Sequence, residues 1–253
     1  MMTTKPRIIH GNGAAMDELH DGSAQLILTS PPYFPDEMED QFQGGLANEE
    51  KCDQLANEIS RFAVSLRPIF DECTRILADD GAFILQTRDV RLGDRLVGVE
   101  SIHRTLIEAT GLVLYTRYLW RPRYTTHTRR AQLKAAAAES MPRSFDPEVF
   151  LVFKHPGAKA HGQPEPDDLA MLEADIVTTQ KGNLSAPHKH QAPLPMLEAI
   201  IRSWTQPGQL VVDPLCGGGS TLLVSYRLGR QAVGYEIDAS SVELARKNVE
   251  AES

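Results

Sequence analysis

The segment Val211-Val212-Asp213-Pro214-Leu215-Cys216-Gly217-Gly218-Gly219-Ser220-Thr221 constrains this 253-residue chain more than any other. A short apolar run ends in an acid, turns through three glycines, and enters a helix that starts near Ser220. Glycines allow positive φ and close backbone approach, so a ligand can rest against the carboxyl end of such a strand. The next apolar run ends at Glu236, 23 residues beyond Asp213. That is near the ~20-residue offset at which an acid reaches ribose hydroxyls in nucleotide-binding folds. The spacing is not GxGxxG, so the usual dinucleotide fingerprint is absent. The pairing of the glycine turn with Glu236 predicts a nucleoside-type cofactor; the plain alternative is a tight turn with a capping acid.

The rest of the chain repeats the alternation. Apolar runs predict strands at Gln25–Thr29, Ala82–Thr87, Leu112–Trp120, Val149–Phe153, Leu210–Asp213 and Ala232–Glu236, with a short one at Arg7–Ile9. Between the first two of these, Leu55, Ile59, Phe62, Leu66, Phe70, Cys73 and Leu77 recur every three or four residues, a helical period that Pro68 is expected to kink or split. Further helices are predicted around Ile102–Ile107, Met196–Trp204 and Val242–Val249. Strands alternating with helices imply an α/β fold, a doubly wound and mostly parallel sheet with helices on both faces. Three stretches break the pattern: residues 34–50 read as an acidic mobile loop, 121–147 as a basic insertion, and 156–187 as a smaller one that begins with a Pro-, Gly- and His-rich surface excursion.

Composition limits the setting. Apolar residues make up 42% of the chain, enough for a core and too many for whole-chain disorder. No apolar run approaches the ~18–20 residues that span a bilayer, and Met1 to His10 lack the apolar stretch of a signal peptide. Cys52, Cys73 and Cys216 form neither a CxxC pair nor an even framework, so a reducing cytoplasm is expected, with no disulfide scaffold and no metal site. The net charge is −8, yet Arg117 to Lys159 carries nine cations against three acids. Nucleic-acid recognition depends on where basic residues lie, so this local excess outweighs the overall acidity.

A second motif is Thr29-Ser30-Pro31-Pro32-Tyr33. It again follows a strand, and its two prolines impose a rigid, non-helical exit. A carbonyl fixed there, with the Ser30 hydroxyl, can accept hydrogen bonds from an amino group, and Tyr33 offers a flat face for stacking.

Taken together, the two motifs resemble those of the permuted, β-class DNA amino-methyltransferases, which act on cytosine N4 or adenine N6. Ile8-Ile9-His10-Gly11-Asn12, Asp79-Asp80-Gly81-Ala82-Phe83-Ile84, Ser144 to Phe153, and His190-Gln191-Ala192-Pro193-Leu194-Pro195 resemble further family elements. Asn12 stands where the family usually has Asp, Leu215 where it has Phe, and Phe34-Pro35 follow Tyr33 where it often has Asn. The resemblance implies a Rossmann-like, seven-stranded class I methyltransferase fold, circularly permuted, over residues 1–253 as a single domain. It implies methyl transfer from S-adenosylmethionine, leaving S-adenosylhomocysteine, to the exocyclic amine of a flipped-out base in double-stranded DNA. Ser30, Pro31, Pro32 and Tyr33 would be catalytic. Asn12, Leu194, Asp213, Leu215, Gly217, Gly219, Ser220, Thr221 and Glu236 would bind the cofactor. Arg121, Arg123, Tyr124, Arg129, Arg130 and Lys134 would face DNA. Cys216 is expected to be a packed small residue, since this chemistry needs no covalent nucleophile.

Thr-Ser-Pro-Pro-Tyr accompanies cytosine N4 methylation more often than adenine N6, which makes cytosine the expected base. An RNA or protein methyltransferase would usually place the glycine motif before the Pro-Pro-Tyr motif, the reverse of the order here. A DNA-binding module without turnover is the other alternative. A prokaryotic or phage origin, a second copy of the chain and a cognate restriction enzyme complete the expected setting, with no membrane partner.

Overall fold

The run Ala24–Thr29 is buried at every position, as a strand covered on both faces must be. Leu26 and Leu28 join one apolar cluster and Ile27 the other, following the two-residue period of a strand. In this computed structural model, residues 4–32, 49–92, 95–120, 148–159, 166–172 and 193–251 are described. Along the chain lie β1 (Arg7–His10), β2 (Ala24–Thr29), α1 (Glu49–Ile76), β3 (Leu77–Thr87), β4 (Val90–Leu92), β5 (Arg95–Val97) and α2 (Val99–Glu108). They are followed by β6 (Val113–Trp120), β7 (Glu148–Lys154), α3 (Pro166–Leu172), α4 (Leu194–Trp204), β8 (Leu210–Asp213), α5 (Ser220–Arg227), β9 (Gln231–Glu236) and α6 (Ala239–Glu250).

Seven strands form one sheet in the order β1-β9-β8-β2-β3-β7-β6, and β7 alone runs opposite to the other six. One face is covered by α1, whose Leu55, Phe62, Leu66, Ile69, Phe70, Cys73 and Ile76 make a single buried stripe. The other face is covered by α3, α4 and α5, through Leu172, Leu197, Ile200, Trp204 and Leu223. Each such large apolar side chain contributes ~1.5–3 kcal/mol by leaving water. From β8 the chain crosses through α5 to β9 on one side; from β2 it crosses through α1 to β3 on the other. The order therefore reverses between β8 and β2, and their carboxyl ends open a crevice there.

Several expectations are corrected. Pro68 does not split its helix, which is continuous from Glu49 to Ile76. Pro68 deprives the Val64 carbonyl of its helical donor, and Val64 is 73% exposed, so water can take that place. Glu49 and Glu50, counted with the loop, are the first turn of α1. β3 begins five residues earlier than the apolar run suggests, because Leu77 pairs with Ala24 ahead of a register shift. The hairpin of β4 and β5 was not foreseen; three-residue strands are too short to show a period. Only the end of the excursion, Pro166 to Asp168, belongs to a helix. Asp168 lies in α3, is 6% exposed, and meets Arg202 at 3.3 Å. The loop from residue 34 up to the start of α1, the basic insertion 121–147, and most of 156–187 fall outside the described residues.

Candidate active site

Apolar residues carry β8 into the core, and the chain leaves it at Asp213, which is 4% exposed. Burial pushes the Asp213 carboxyl up to about 6. The hydroxyls of Thr29 and Thr221 and the Leu215 N–H pull the other way, and the like charge of Glu236 adds to the rise. Leu215 N–H donates to Asp213 Oδ1 at 3.2 Å. Thr29 Oγ1 stands beside the carboxyl without an aligned hydrogen bond, a buried hydroxyl from β2 facing the end of β8.

The glycine turn is built by backbone. Cys216 N–H donates to Tyr235 O at 2.8 Å, and Gly219 N–H to Cys216 O at 2.8 Å. Gly217 and Gly219 have φ of +48° and +78°, the left-handed region that glycine tolerates best. A Cβ on Gly219 would stand 3.0 Å from Ala245 Cβ, whereas one on Gly217 would meet nothing within 4 Å. The turn therefore packs against α6 at Gly219 and leaves open space over Gly217. Ser220 and Thr221 open α5; Thr221 is buried and Ser220 half-buried. Cys216 is buried against Leu222 and Ala232, and burial pushes its thiol well above the usual range, which suits packing rather than nucleophilic attack.

Glu236 ends β9. Its Oε2 accepts from Gly217 N–H at 2.9 Å and its Oε1 from Asp238 N–H at 2.8 Å. The carboxylate thus ties the glycine turn to the neighbouring strand end and keeps further lone pairs for a ligand. Asn12 lies just past β1, exposed, its Oδ1 accepting from Ala14 N–H at 3.0 Å. The β1 exit is held to this edge by Gly11 N–H to Glu236 O at 3.0 Å. Gly13 packs so closely on Pro214 that an added Cβ would stand 2.5 Å from its carbonyl oxygen.

Across the crevice, Ile27 of β2 pairs with Val212 of β8 in parallel register. Ser30, Pro31 and Pro32 therefore leave the sheet next to Asp213, with Ser30 half-buried, Pro31 buried and Pro32 exposed. The structure thus brings together Ser30, Pro31, Asp213, the glycine turn, Glu236 and Asn12 at one edge. Leu194 sits in the cluster under α4, and Leu215 packs against the cluster on the opposite face. Sequence reading missed Ile237, a large apolar side chain 70% exposed directly after Glu236. A lone apolar residue in a turn has no periodicity to betray it, and only its exposure at a ligand edge marks it. Tyr33, Arg121, Arg123, Tyr124, Arg129, Arg130 and Lys134 lie outside the described residues. Of the cations counted around them, Lys154 is withdrawn from any DNA-facing surface. It is 1% exposed, lies over the rings of Tyr115 and Trp204, and donates to Ala158 O at 3.2 Å. Among the described residues, no group of three or more His, Cys, Asp or Glu could hold a metal ion, and no helix is long and apolar enough to cross a membrane.

A doubly wound sheet with a glycine turn, two strand-end acids and a proline-fixed exit at its switch point is the framework of a nucleoside-cofactor-binding enzyme. Comparison with known proteins narrows the class: residues 24–247 match the DNA methylase family of the N6/N4 type, and the chain belongs to that family. The Type II methyltransferase M.MjaI of Methanocaldococcus jannaschii is 25% identical, over 94% of this chain and 89% of its own length. Among solved structures, the cytosine-N4-specific PvuII DNA methyltransferase superposes with a TM-score of 0.73 at 16% identity, covering 98% of this chain and 87% of that one. The Thermus thermophilus protein TTHA0409, solved with S-adenosyl-L-methionine, superposes at 0.72 and 20% identity, covering 98% and 94%. At these identities the two structures bear on the fold alone.

Proposed function

We propose that this DNA methyltransferase transfers the methyl group of S-adenosylmethionine to the exocyclic N4 of cytosine in flipped-out double-stranded DNA. The observation that carries the reading is the parallel adjacency of β2 and β8. It sets the Ser30-Pro31-Pro32 exit beside the glycine turn, at the crevice where the strand order reverses.

The residues fit the cofactor. Gly217 leaves space that a side chain would fill, Glu236 stands where a ribose diol needs an acceptor, and Ile237 offers an exposed apolar face for adenine. Asp213 is a buried carboxyl suited to holding the turn and attracting an ammonium group. Gly219, Ser220, Thr221 and Asn12 support this half, and Leu194 and Leu215 flank the adenine together with Ile237. S-adenosylmethionine supplies an electrophilic methyl group on a sulfonium centre.

An aromatic amine is a poor nucleophile because its lone pair is delocalised into the ring. Ser30 Oγ and the Pro31 carbonyl accept hydrogen bonds from the two amine N–H groups and stabilise the positive charge that grows there. Preorganised groups of this kind contribute ~2.7–4 kcal/mol each to the transition state. Pro32 holds the exit rigid, and Tyr33 stacks on the extruded base, offsetting part of the few kcal/mol of unstacking. The basic insertion 121–147, with Arg121, Arg123, Tyr124, Arg129, Arg130 and Lys134, is the DNA-facing element, and 156–187 supplies a small recognition region. The whole chain works as one cytoplasmic, circularly permuted domain, with a second copy and a cognate restriction enzyme as candidate partners.

Thr-Ser-Pro-Pro-Tyr favours cytosine, while adenine N6 offers the same amine chemistry. Mass spectrometry of nucleosides from DNA methylated by the purified protein tests the choice. N4-methylcytosine is expected; N6-methyladenine alone would replace cytosine by adenine and leave the site unchanged.

A further inference from the structure

Strand β3 contains an unexpected polar residue. From Ala82 to Leu85 it is apolar and fully buried, as a central strand should be, and then Gln86 follows at 2% exposure. Its Nε2 donates to Glu148 Oε2, at the start of β7, 62 residues away in the chain. The amide must face the carboxylate with its NH2 end, so its carbonyl end is fixed by elimination. An amide in an apolar strand is costly to bury unless it is paired, and the half-buried Glu148 carboxylate is the partner given to it.

The register explains the position. Thr29 pairs with Leu85 and Leu28 with Ile84, in parallel strands. Continuing by one residue sets Ser30 beside Gln86. Strand alternation places both on the face of Leu28 and Ile84, at the carboxyl edge where Asp213 emerges. On the far side, Gln86 pairs with Phe150 of β7, which brings Glu148 to the same edge.

We infer that Gln86 and Glu148 are positioning residues for the Ser30 hydroxyl, an inference that rests on Ser30 being the acceptor for the target amine. A hydroxyl that accepts an amine N–H presents its lone pair only if its own hydrogen points elsewhere. Gln86 Oε1 takes that hydrogen, and Glu148, by accepting from Gln86 Nε2, locks the amide in the orientation that allows it. The chain then runs amine N–H to Ser30 Oγ, Ser30 O–H to Gln86 Oε1, and Gln86 N–H to Glu148. Each bond polarises the next, so the Glu148 charge is felt at the amine as positive charge develops. An amide does not pass on a proton, and the one lost by the methylated amine leaves to solvent by another route.

The test is single-turnover and steady-state kinetics on duplex DNA, with S-adenosylmethionine affinity and melting temperature measured on the same samples. Glu148→Gln keeps the volume and an acceptor but removes the charge. It should lower kcat about tenfold, with KM for DNA and cofactor affinity within about twofold. Gln86→Leu should lower kcat 10- to 100-fold. Ser30→Ala combined with Gln86→Leu should be no slower than Ser30→Ala alone, because Gln86 acts through that hydroxyl. Losses that multiply in the double variant, or a normal kcat in Glu148→Gln, overturn the relay. A normal kcat in Ser30→Ala instead overturns the reading of the site beneath it. Should Gln86→Leu fail to fold, Glu148→Gln decides alone.

Discussion

The two sides of the β8–β2 crevice are built differently. On the β8–β9 side the functional geometry is local and made of backbone. Gly217, Gly219, Asp213 and Glu236 lie within 24 consecutive residues and are held by amide hydrogen bonds. On the β2–β3 side it is made of side chains from segments far apart in the chain, with Ser30 just past β2, Gln86 on β3 and Glu148 on β7. A backbone cradle suits a cofactor that never varies. Side chains placed by register suit the discrimination and activation of a base.

The sharpest way to break this comparison is to disable each side separately. Ser30→Ala should lower the methyl-transfer rate ~10²–10³-fold, the loss of one preorganised acceptor. Its cofactor affinity should change less than about threefold. Tyr33→Ala should likewise impair methylation far more than affinity. Asp213→Ala should impair both, and equal affinity losses in Tyr33→Ala and Asp213→Ala would contradict the division of labour. Calorimetry and rapid-quench kinetics on the same preparations distinguish the outcomes.

Next in size come the two left-handed glycines. Gly219→Ala adds a Cβ against Ala245 to a strained φ and should lower unfolding stability by ~1–3 kcal/mol in urea titrations. Gly217→Ala has open space around it, so its larger effect should be on cofactor affinity. A reversal of these two effects would remove the assignment of the open space to a ligand.

Two buried titrating groups give a pH signature of comparable size. Burial lowers His103 to about 4, so its share of stability is present above pH 6.5 and lost as the pH falls towards 4. Asp213 is raised to about 6, so its share is present below pH 3.8 and lost as the pH rises through 6. The two oppose each other between pH 4 and 6, each by up to ~3 kcal/mol. Asp213→Asn should therefore lose melting temperature more steeply than the parent between pH 6.5 and 4.5, and His103→Leu less steeply. The smallest effect lies away from the crevice. Pro68→Ala should stabilise α1 by ~1 kcal/mol, well under the ~3 kcal/mol of a helix-interior proline, because Val64, whose carbonyl lacks its helical donor, is exposed and open to water.

The same contrast explains what could be read from the chain. The β8–β9 side was legible because strand, glycine turn and acid follow one another. The seven sheet strands followed from alternation, and the meeting of the Ser30 and Gly217 segments from the resemblance of their two motifs to those of the amino-methyltransferases. Glu148 gave no sign of pairing with Gln86, since antiparallel registry between β3 and β7 is set by packing and not by local pattern. Lys154 looked like one more basic residue until the sheet folded it over Tyr115 and Trp204. Ile237 became visible only through its exposure.

The central claim is that cofactor and amine acceptor face each other across the gap between β8 and β2. A crystal structure with bound S-adenosylmethionine measures this most directly. The methyl group should lie over that gap, with the ribose at Glu236 and the sulfonium turned towards Ser30. A cofactor seated at the opposite edge of the sheet, near Arg75 and Asp79, would contradict it.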